Sequence, residues 1–480
     1  MSNFSLSKIA GMAALILTAS CTVSVFGQDT STSSAAGTAA QDHLAIDLGQ
    51  AHNYAGFGAN VWLHPPHQPE QDDMMKALKM RYVRVDIQWE IPLPDLTTKT
   101  HFSVEDISEL IKKHDTPLFE NHIAAFADEM KTLGIEMHFV YFVAPKCWLI
   151  LASPTSRKAN PDYFENCANW IAAQLLQAKS VGLVPTHIEI TNEPEGDWSA
   201  QYTPEQYDAY LVAVRKAMDE NGLQDIKIVG PGCGTGTKPT VPIVNAVENH
   251  GDGNLLHILS VHSYDRGIDG KDFPRFDLLK PLMAKLAPGT PIFVSEYNNK
   301  AHYWGYPPYQ TPANKRGPNN GGDTADFAVS SAGDALKLIA EGANAIFFWE
   351  ASDQTWGHSD FGLIDLEGKG KPVLTATETA FNSLPWDIPA VGATGGGESI
   401  VAVAFKTPDG TRVSMVNLTP QPHAISMSIE GLALPPKSVS DVKAFDAKAG
   451  ANAEANQPTV NNGVLTDNLP ARTLVSFLLN

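Results

Sequence analysis

Two glutamates stand in matched settings 103 positions apart (296 minus 193). Glu193 lies in "THIEITNEPEGDW" (186–198), where Ile188 and Ile190 alternate with polar residues and Pro194, unable to donate to a sheet ladder, takes the chain out of the strand. Glu296 follows the four apolar residues that open "PIFVSEYNN" (291–299). Each carboxylate is therefore expected at the rim of a buried strand. One such group alone is a solvated side chain. Two that face each other across a cleft can divide the work, one protonating a leaving oxygen while the other acts on the carbon it leaves.

Whether they face each other depends on the elements that carry them. From Tyr54 to about Pro385, short runs rich in Val, Ile, Phe and Tyr alternate with segments of helical period, the pattern of repeated strand–helix units. Eight strand candidates result: 55–62, 82–88, 136–143, 186–191, 226–231, 257–264, 291–297 and 345–350. Among the helices between them, 204–220 is the clearest, with Thr203 and Gln206 as a capping box and Pro204 at the first helical position; Asn160 and Pro161 start another. Eight such units over 51–386 predict an α/β fold, a (β/α)8 TIM barrel with its chemistry at the C-terminal ends of the strands. Strands four and seven then bring Glu193 and Glu296 to opposite sides of one mouth. Beyond 386 the helical period disappears, and 387–480, with turns at "PDG" (408–410) and Pro435-Pro436, predicts a C-terminal antiparallel β-sandwich. "HLAIDLG" (43–49), in the segment 42–50 ahead of the barrel, is expected to pair in the same sheet as the last strand, "ARTLVSFLLN".

The chain has 480 residues, 43% of them hydrophobic, enough for a full core and more than one domain. A formal net charge of -19 with no Lys/Arg cluster argues against nucleic acid and anionic membrane surfaces as partners. Lys8 precedes an apolar run from Ile9 to Ala19 that is too short to span a bilayer, the pattern of a secretory signal over 1–27, followed by a flexible Ser/Thr/Ala-rich lead-in over 28–41. A secreted or periplasmic protein without a transmembrane segment is expected, cleaved after Gly27 or, alternatively, lipid-anchored at Cys21. Cys147, Cys167 and Cys233 remain, and three thiols cannot all pair with one another. The cysteines show no metal-binding spacing, and neither a metal nor a cofactor is expected. A metal-dependent hydrolase is a rival reading through His64, His67 and Glu70, but Pro65 and Pro66 keep those histidines off one helix.

Aromatic residues crowd the expected loops: Trp62, Trp89, Trp148, Trp198, Tyr303, Trp304 and Trp356. Rings stack on the apolar C–H faces of sugars, so such loops suit a glycan cleft, and Trp148 and Trp304 are candidate binding residues; core packing would serve any one of them equally well. The polar, Gly/Pro-rich stretch 297–323 reads as a substrate-contacting loop.

Asn192-Glu193-Pro194 on the fourth strand and Glu296 on the seventh resemble the retaining glycoside hydrolases of clan A, and "GFGANVW" (56–62) with an appended sandwich is similar to glycoside hydrolase family 30. The resemblance implies an enzyme that cleaves β-linked oligo- or polysaccharides by double displacement, with Glu193 as acid/base and Glu296 as nucleophile. It implies that Arg84 favours the ionised nucleophile, that Asn192 bonds the sugar 2-hydroxyl, that His262 and Tyr264 flank the nucleophile, and that Trp349 lies under the sugar ring. Plainer alternatives stay open: Arg84 could pair with Asp86, His262 could be a core histidine, and Tyr264 and Trp349 could be packing residues. "FVAPKCW" (142–148) departs from the family 30 pattern, so families 5 and 39 stay open too. A non-catalytic glycan-binding barrel is the remaining rival, and it would have no need of both carboxylates beside Arg84 and Asn192.

Overall fold

A computed structural model gives the fold and describes residues 41–480 apart from 63–68, 143, 154–155, 265–273, 299–320, 354–360, 382–383, 398–399, 433 and 451–456. The expected signal and lead-in, His64, His67, Tyr303, Trp304, Trp356 and most of the 297–323 loop lie outside the described residues.

Eight parallel strands close a barrel: β1 (Gly56–Val61), β2 (Tyr82–Val85), β3 (Glu136–Val140), β4 (His187–Glu189), β5 (Lys227–Cys233), β6 (Ile258–Ser263), β7 (Ile292–Tyr297) and β8 (Ala345–Phe348). They follow one another around the ring, with β8 pairing β1. Helices cover the outer faces, so the strands are buried almost throughout, as in parallel sheets generally. The helix Pro204–Glu220 starts as its sequence dictates: the Thr203 and Gln206 side chains each accept from the other's backbone N–H. Asn160 caps a single 3-10 turn, Pro161–Tyr163, which leads into the helix Phe164–Ser180.

The barrel interior is layered. At its base Tyr82 stacks on Phe347 at 5.4 Å between ring centroids, and Phe293 fills in beside them with Ala55, Val229, Ile258 and Ala345. One tier up, where alternation brings the next inward residues, the side chains are polar: Arg84, His138 and Glu189, all buried. Above that tier lies the mouth. Here β6 slips in register against β7 between Val261 and His262, so that His262 stands opposite Glu296 with Ser295 skipped. Such a bulge re-aims the side chains that follow it.

The remaining strands form a two-sheet sandwich: β9 (Ile388–Gly392), β10 (Ile400–Thr407), β11 (Gly410–Asn417), β12 (His423–Glu430), β13 (Val439–Asp446), β14 (Thr459–Asn461), β15 (Val464–Leu469) and β16 (Thr473–Leu479). One sheet runs β13-β16-β11-β10-β9 and is completed by the short strand His52–Tyr54. The other runs β12-β15-β14, and Gln41–Asp47 joins it at the edge of β12 in parallel, whereas the other sandwich pairs are antiparallel. The strand ahead of the barrel therefore does not share a sheet with the last strand, β16, as its alternation suggested. Leu44 and Ile46 need only an apolar interior, and both sheets offer the same one, so the pattern fixes which face turns inward without choosing the neighbour. Across to the barrel, Phe381, at the end of the helix Pro372–Phe381, stacks on Tyr54 at 6.4 Å and meets Phe405 edge-on at 6.5 Å.

Ile46 is 1% exposed in the sandwich interior. Ile46→Ala should cost about 2–5 kcal/mol, the usual range for a large-to-small change in a core. Urea denaturation of the whole chain checks it, and a loss below about 1 kcal/mol would show that the sandwich does not depend on this strand.

Candidate active site

One guanidinium organises the mouth. Arg84, on β2 and 1% exposed, donates through Nη1 to Glu296 Oε1 at 2.5 Å and Asn60 Oδ1 at 2.8 Å. Its Nη2 reaches Asn192 Oδ1 at 2.7 Å and Glu189 Oε2 at 2.6 Å, and Nε reaches the same Glu189 oxygen at 2.9 Å. Four strands are tied at this point by a planar fork that suits carboxylates and amides together. The pairing with Asp86 that the sequence left open does not form; Asp86 accepts from Gln88 Nε2 at 2.7 Å, and burial raises its carboxyl to about 7.

Glu189 was not anticipated from the sequence: in "THIEIT" it alternates with Ile188 and Ile190 as a solvent-facing residue would, and the arginine that its burial requires is distant in sequence. Burial alone would raise its pKa, but Arg84 foremost, helped by the nearby histidines, lowers it to about 2. His138, 3.8 Å from Glu189 Oε1, is pushed down to about 4 by burial and stays neutral near neutral pH.

Glu296, 2% exposed, accepts from Arg84 on one oxygen and from the Tyr264 hydroxyl on the other. Burial, then the charges of Glu296 and Glu193, push the Tyr264 hydroxyl well above the ordinary range, so it keeps its proton and donates. Glu193 follows β4 in the left-handed backbone region, with φ at 44°, and this turns the chain sharply into the loop. The carboxyl lies against the backbone of Gly234, where a Cβ would fall 2.3 Å from Glu193 Oε1; any side chain there would displace it. His262 Nδ1 lies 3.0 Å from Glu193 Oε1 and 3.4 Å from Glu296 Oε2, bridging the two carboxylates. Burial opposes the charged imidazole, yet Glu296 and Glu193 outweigh it and hold the His262 pKa above its ordinary value.

One ligating atom each from Glu193, His262 and Glu296 lies within 4.8 Å of the others, and this is the set of three among the described residues that could hold a metal ion. Arg84 already supplies positive charge at that spot and His262 Nδ1 lies beside the same carboxylates, so a divalent ion would compete with them for the same oxygens.

An aromatic wall stands beside the carboxylates. Trp62 stacks on Phe142 at 5.4 Å, meets Trp349 edge-on at 5.8 Å, and donates from Nε1 to the buried Glu350 Oε2 at 2.5 Å. Trp349 in turn meets Tyr264 edge-on at 6.5 Å. The structure thus brings together Glu193, Glu296, Arg84, Asn192, His262, Tyr264 and Trp349. Trp148 is elsewhere: it is 1% exposed and packs in the core against Phe102 at 5.7 Å, presenting no open face to a sugar. Trp304 lies outside the described residues. Cys147, Cys167 and Cys233 are free thiols, and burial raises the pKa of each.

No protein-family model matches the chain, and no curated protein matches it in sequence. Solved structures do match. The chain is similar to a glycoside hydrolase family 30 (GH30) endoxylanase from Clostridium papyrosolvens C71, with a TM-score of 0.66 and 16% identity over 91% of this chain and 100% of the other. It is similar to the catalytic domain of GH30 xylanase C from Talaromyces cellulolyticus, with a TM-score of 0.64 and 14% identity over 92% and 100%. A GH51 arabinofuranosidase from Xanthomonas axonopodis pv. citri matches with a TM-score of 0.60 and 15% identity over 92% and 100%. At such identities the likeness is one of fold, and the chain has the barrel-and-sandwich fold of these glycoside hydrolases. Among the described residues no helix is long and apolar enough to cross a membrane.

Glu189→Gln should cost about 3–5 kcal/mol near neutral pH, because Arg84 keeps its charge and loses a partner. The difference should narrow in acid: a carboxyl lowered from 4.5 to about 2 contributes stability that is fully present above the higher value and lost as pH falls through the lower one. Urea denaturation of both proteins from neutral pH downward checks this, and an unchanging gap would place the loss elsewhere.

Proposed function

We propose that the protein is a retaining β-glycoside hydrolase of clan A, akin to family 30, acting on β-linked oligo- or polysaccharides. One observation carries this reading: oxygens of Glu193 and Glu296 lie within 4.8 Å of each other at one barrel mouth. A retaining pair stands about 5–5.5 Å apart, whereas an inverting pair needs room for a water and stands about 6.5–9.5 Å apart. The fold shared with the xylanases and the arabinofuranosidase supports a carbohydrate substrate.

In the proposed reaction Glu193 gives its proton to the glycosidic oxygen as the bond from that oxygen to the anomeric carbon breaks. A Glu296 oxygen takes the carbon from the opposite face. Glu193, now ionised, removes a proton from water, whose oxygen displaces Glu296 and restores the original configuration. Arg84 and the Tyr264 hydroxyl fix the orientation of Glu296 and stabilise its charge as the leaving carboxylate. With Asn192 Oδ1 taken by Arg84, its Nδ2 is the atom turned to a sugar hydroxyl. Trp349 and Trp62 offer ring surface to the sugar. We assign export to the signal over 1–27, with a lipid-anchored form at Cys21 as the alternative.

Glu296→Ala should abolish turnover and, by taking a partner from the buried Arg84, lower stability without changing the fold; azide should restore part of the turnover by attacking from the vacated side. Glu193→Gln should lose about 10²–10⁴-fold on natural glycans, the usual worth of a general acid, and far less glycosylation rate on activated aryl glycosides. Following the first-formed anomer by NMR tests the stereochemistry, and an inverted product would sink the double displacement.

A further inference from the structure

Trp198 has no part in the chemistry described so far, and its setting is unusual. The side chain is 52% exposed, yet its indole Nε1 donates to Glu193 Oε2 at 2.5 Å. The loop that carries it is tied down on several sides. The ring lies on the backbone of Gly196, where a Cβ would fall 2.3 Å from its Cε2. The Trp198 carbonyl accepts from Arg157 Nη1 at 3.2 Å, the Asp197 carbonyl accepts from the Arg157 N–H at 2.8 Å, and the Ser199 hydroxyl donates to the Phe142 carbonyl at 3.0 Å.

The two oxygens of Glu193 therefore face different ways. Oε1 meets His262, which also lies beside Glu296, so that oxygen marks the side of the sugar under attack. Oε2 meets Trp198, on the other side. A leaving oxygen protonated by Glu193 would carry its own group away from Glu296, and the exposed indole lies beside the acid's other oxygen. The strand Arg157–Lys158 is bridged to the same loop at Lys158 and Gln201, and its partner strand carries two more exposed apolar residues, Ile150 and Leu151.

We infer that Trp198 forms the subsite for the leaving-group sugar, stacking on the apolar face of a pyranose ring, and at the same time positions the acid carboxylate through its N–H. This rests on the hydrolase reading above. The indole makes the two contacts with separate parts, so two substitutions separate them: Trp198→Phe keeps a ring and loses the donor, and Trp198→Ala loses both.

The test compares wild type and both variants on β-glycosyl fluorides, which carry no leaving-group ring, and on β-linked oligosaccharides of the same sugar. Trp198→Ala should lose kcat/KM about tenfold further on the oligosaccharide than on the fluoride, and Trp198→Phe should recover most of that extra loss. Both should carry the alkaline limb of the oligosaccharide kcat/KM profile to higher pH, because an N–H donor favours the ionised carboxylate and its removal keeps Glu193 protonated further up. Equal losses on the two substrates, or an unmoved limb in Trp198→Phe, would overturn the assignment while leaving the hydrolase intact. A wild type that cleaves neither kind of substrate overturns both.

Discussion

Removing a guanidinium from water costs several kcal/mol unless its donors are met and its charge is balanced, and Arg84 satisfies both conditions at the centre of the barrel. Its partners come from β1, β4, β7 and the loop after β4, so the residue that most needs neighbours also registers the strands that supply them. The charge balance has a chemical side. Arg84 sets its positive charge against the carboxylates of Glu189 and Glu296, with His262 Nδ1 beside Glu296. Glu193 joins that set through His262.

The mouth is precise because rigid backbone places each group. The slipped register between β6 and β7 sets His262 against Glu296. The left-handed backbone at Glu193 swings its carboxyl over Gly234, which has no side chain to hinder it. Each device costs a little local stability, and the surrounding barrel fixes it in place.

Much of this was legible in the sequence. Alternation and buried-strand composition located all eight barrel strands, because parallel strands covered on both faces read as continuous apolar runs. Asn192, Glu193 and Glu296 were legible because they follow such runs directly. Glu189 was harder to see, since a carboxylate inside a three-residue strand looks like the solvent face of an alternating one until its arginine is placed. Trp148 fails for the opposite reason: a tryptophan in a loop sequence says nothing about which way its ring turns, and here the loop folds it inward. The sheet chosen by Gln41–Asp47 depends on which of two edges is vacant, a property of the assembled sandwich and of no single segment.

That strand also makes the sandwich discontinuous along the chain, with the whole barrel inserted between two of its parts. Asp42 meets His423 at 2.5 Å across 381 residues of sequence. For an unfolded chain, closing a loop of that length carries a large entropic cost. The barrel shortens that reach, because β1 and β8 are neighbours, and Tyr54, just ahead of β1, pairs with Ile388 at the start of β9. A closed barrel thus acts as a clasp that holds the two halves of the sandwich in reach of each other.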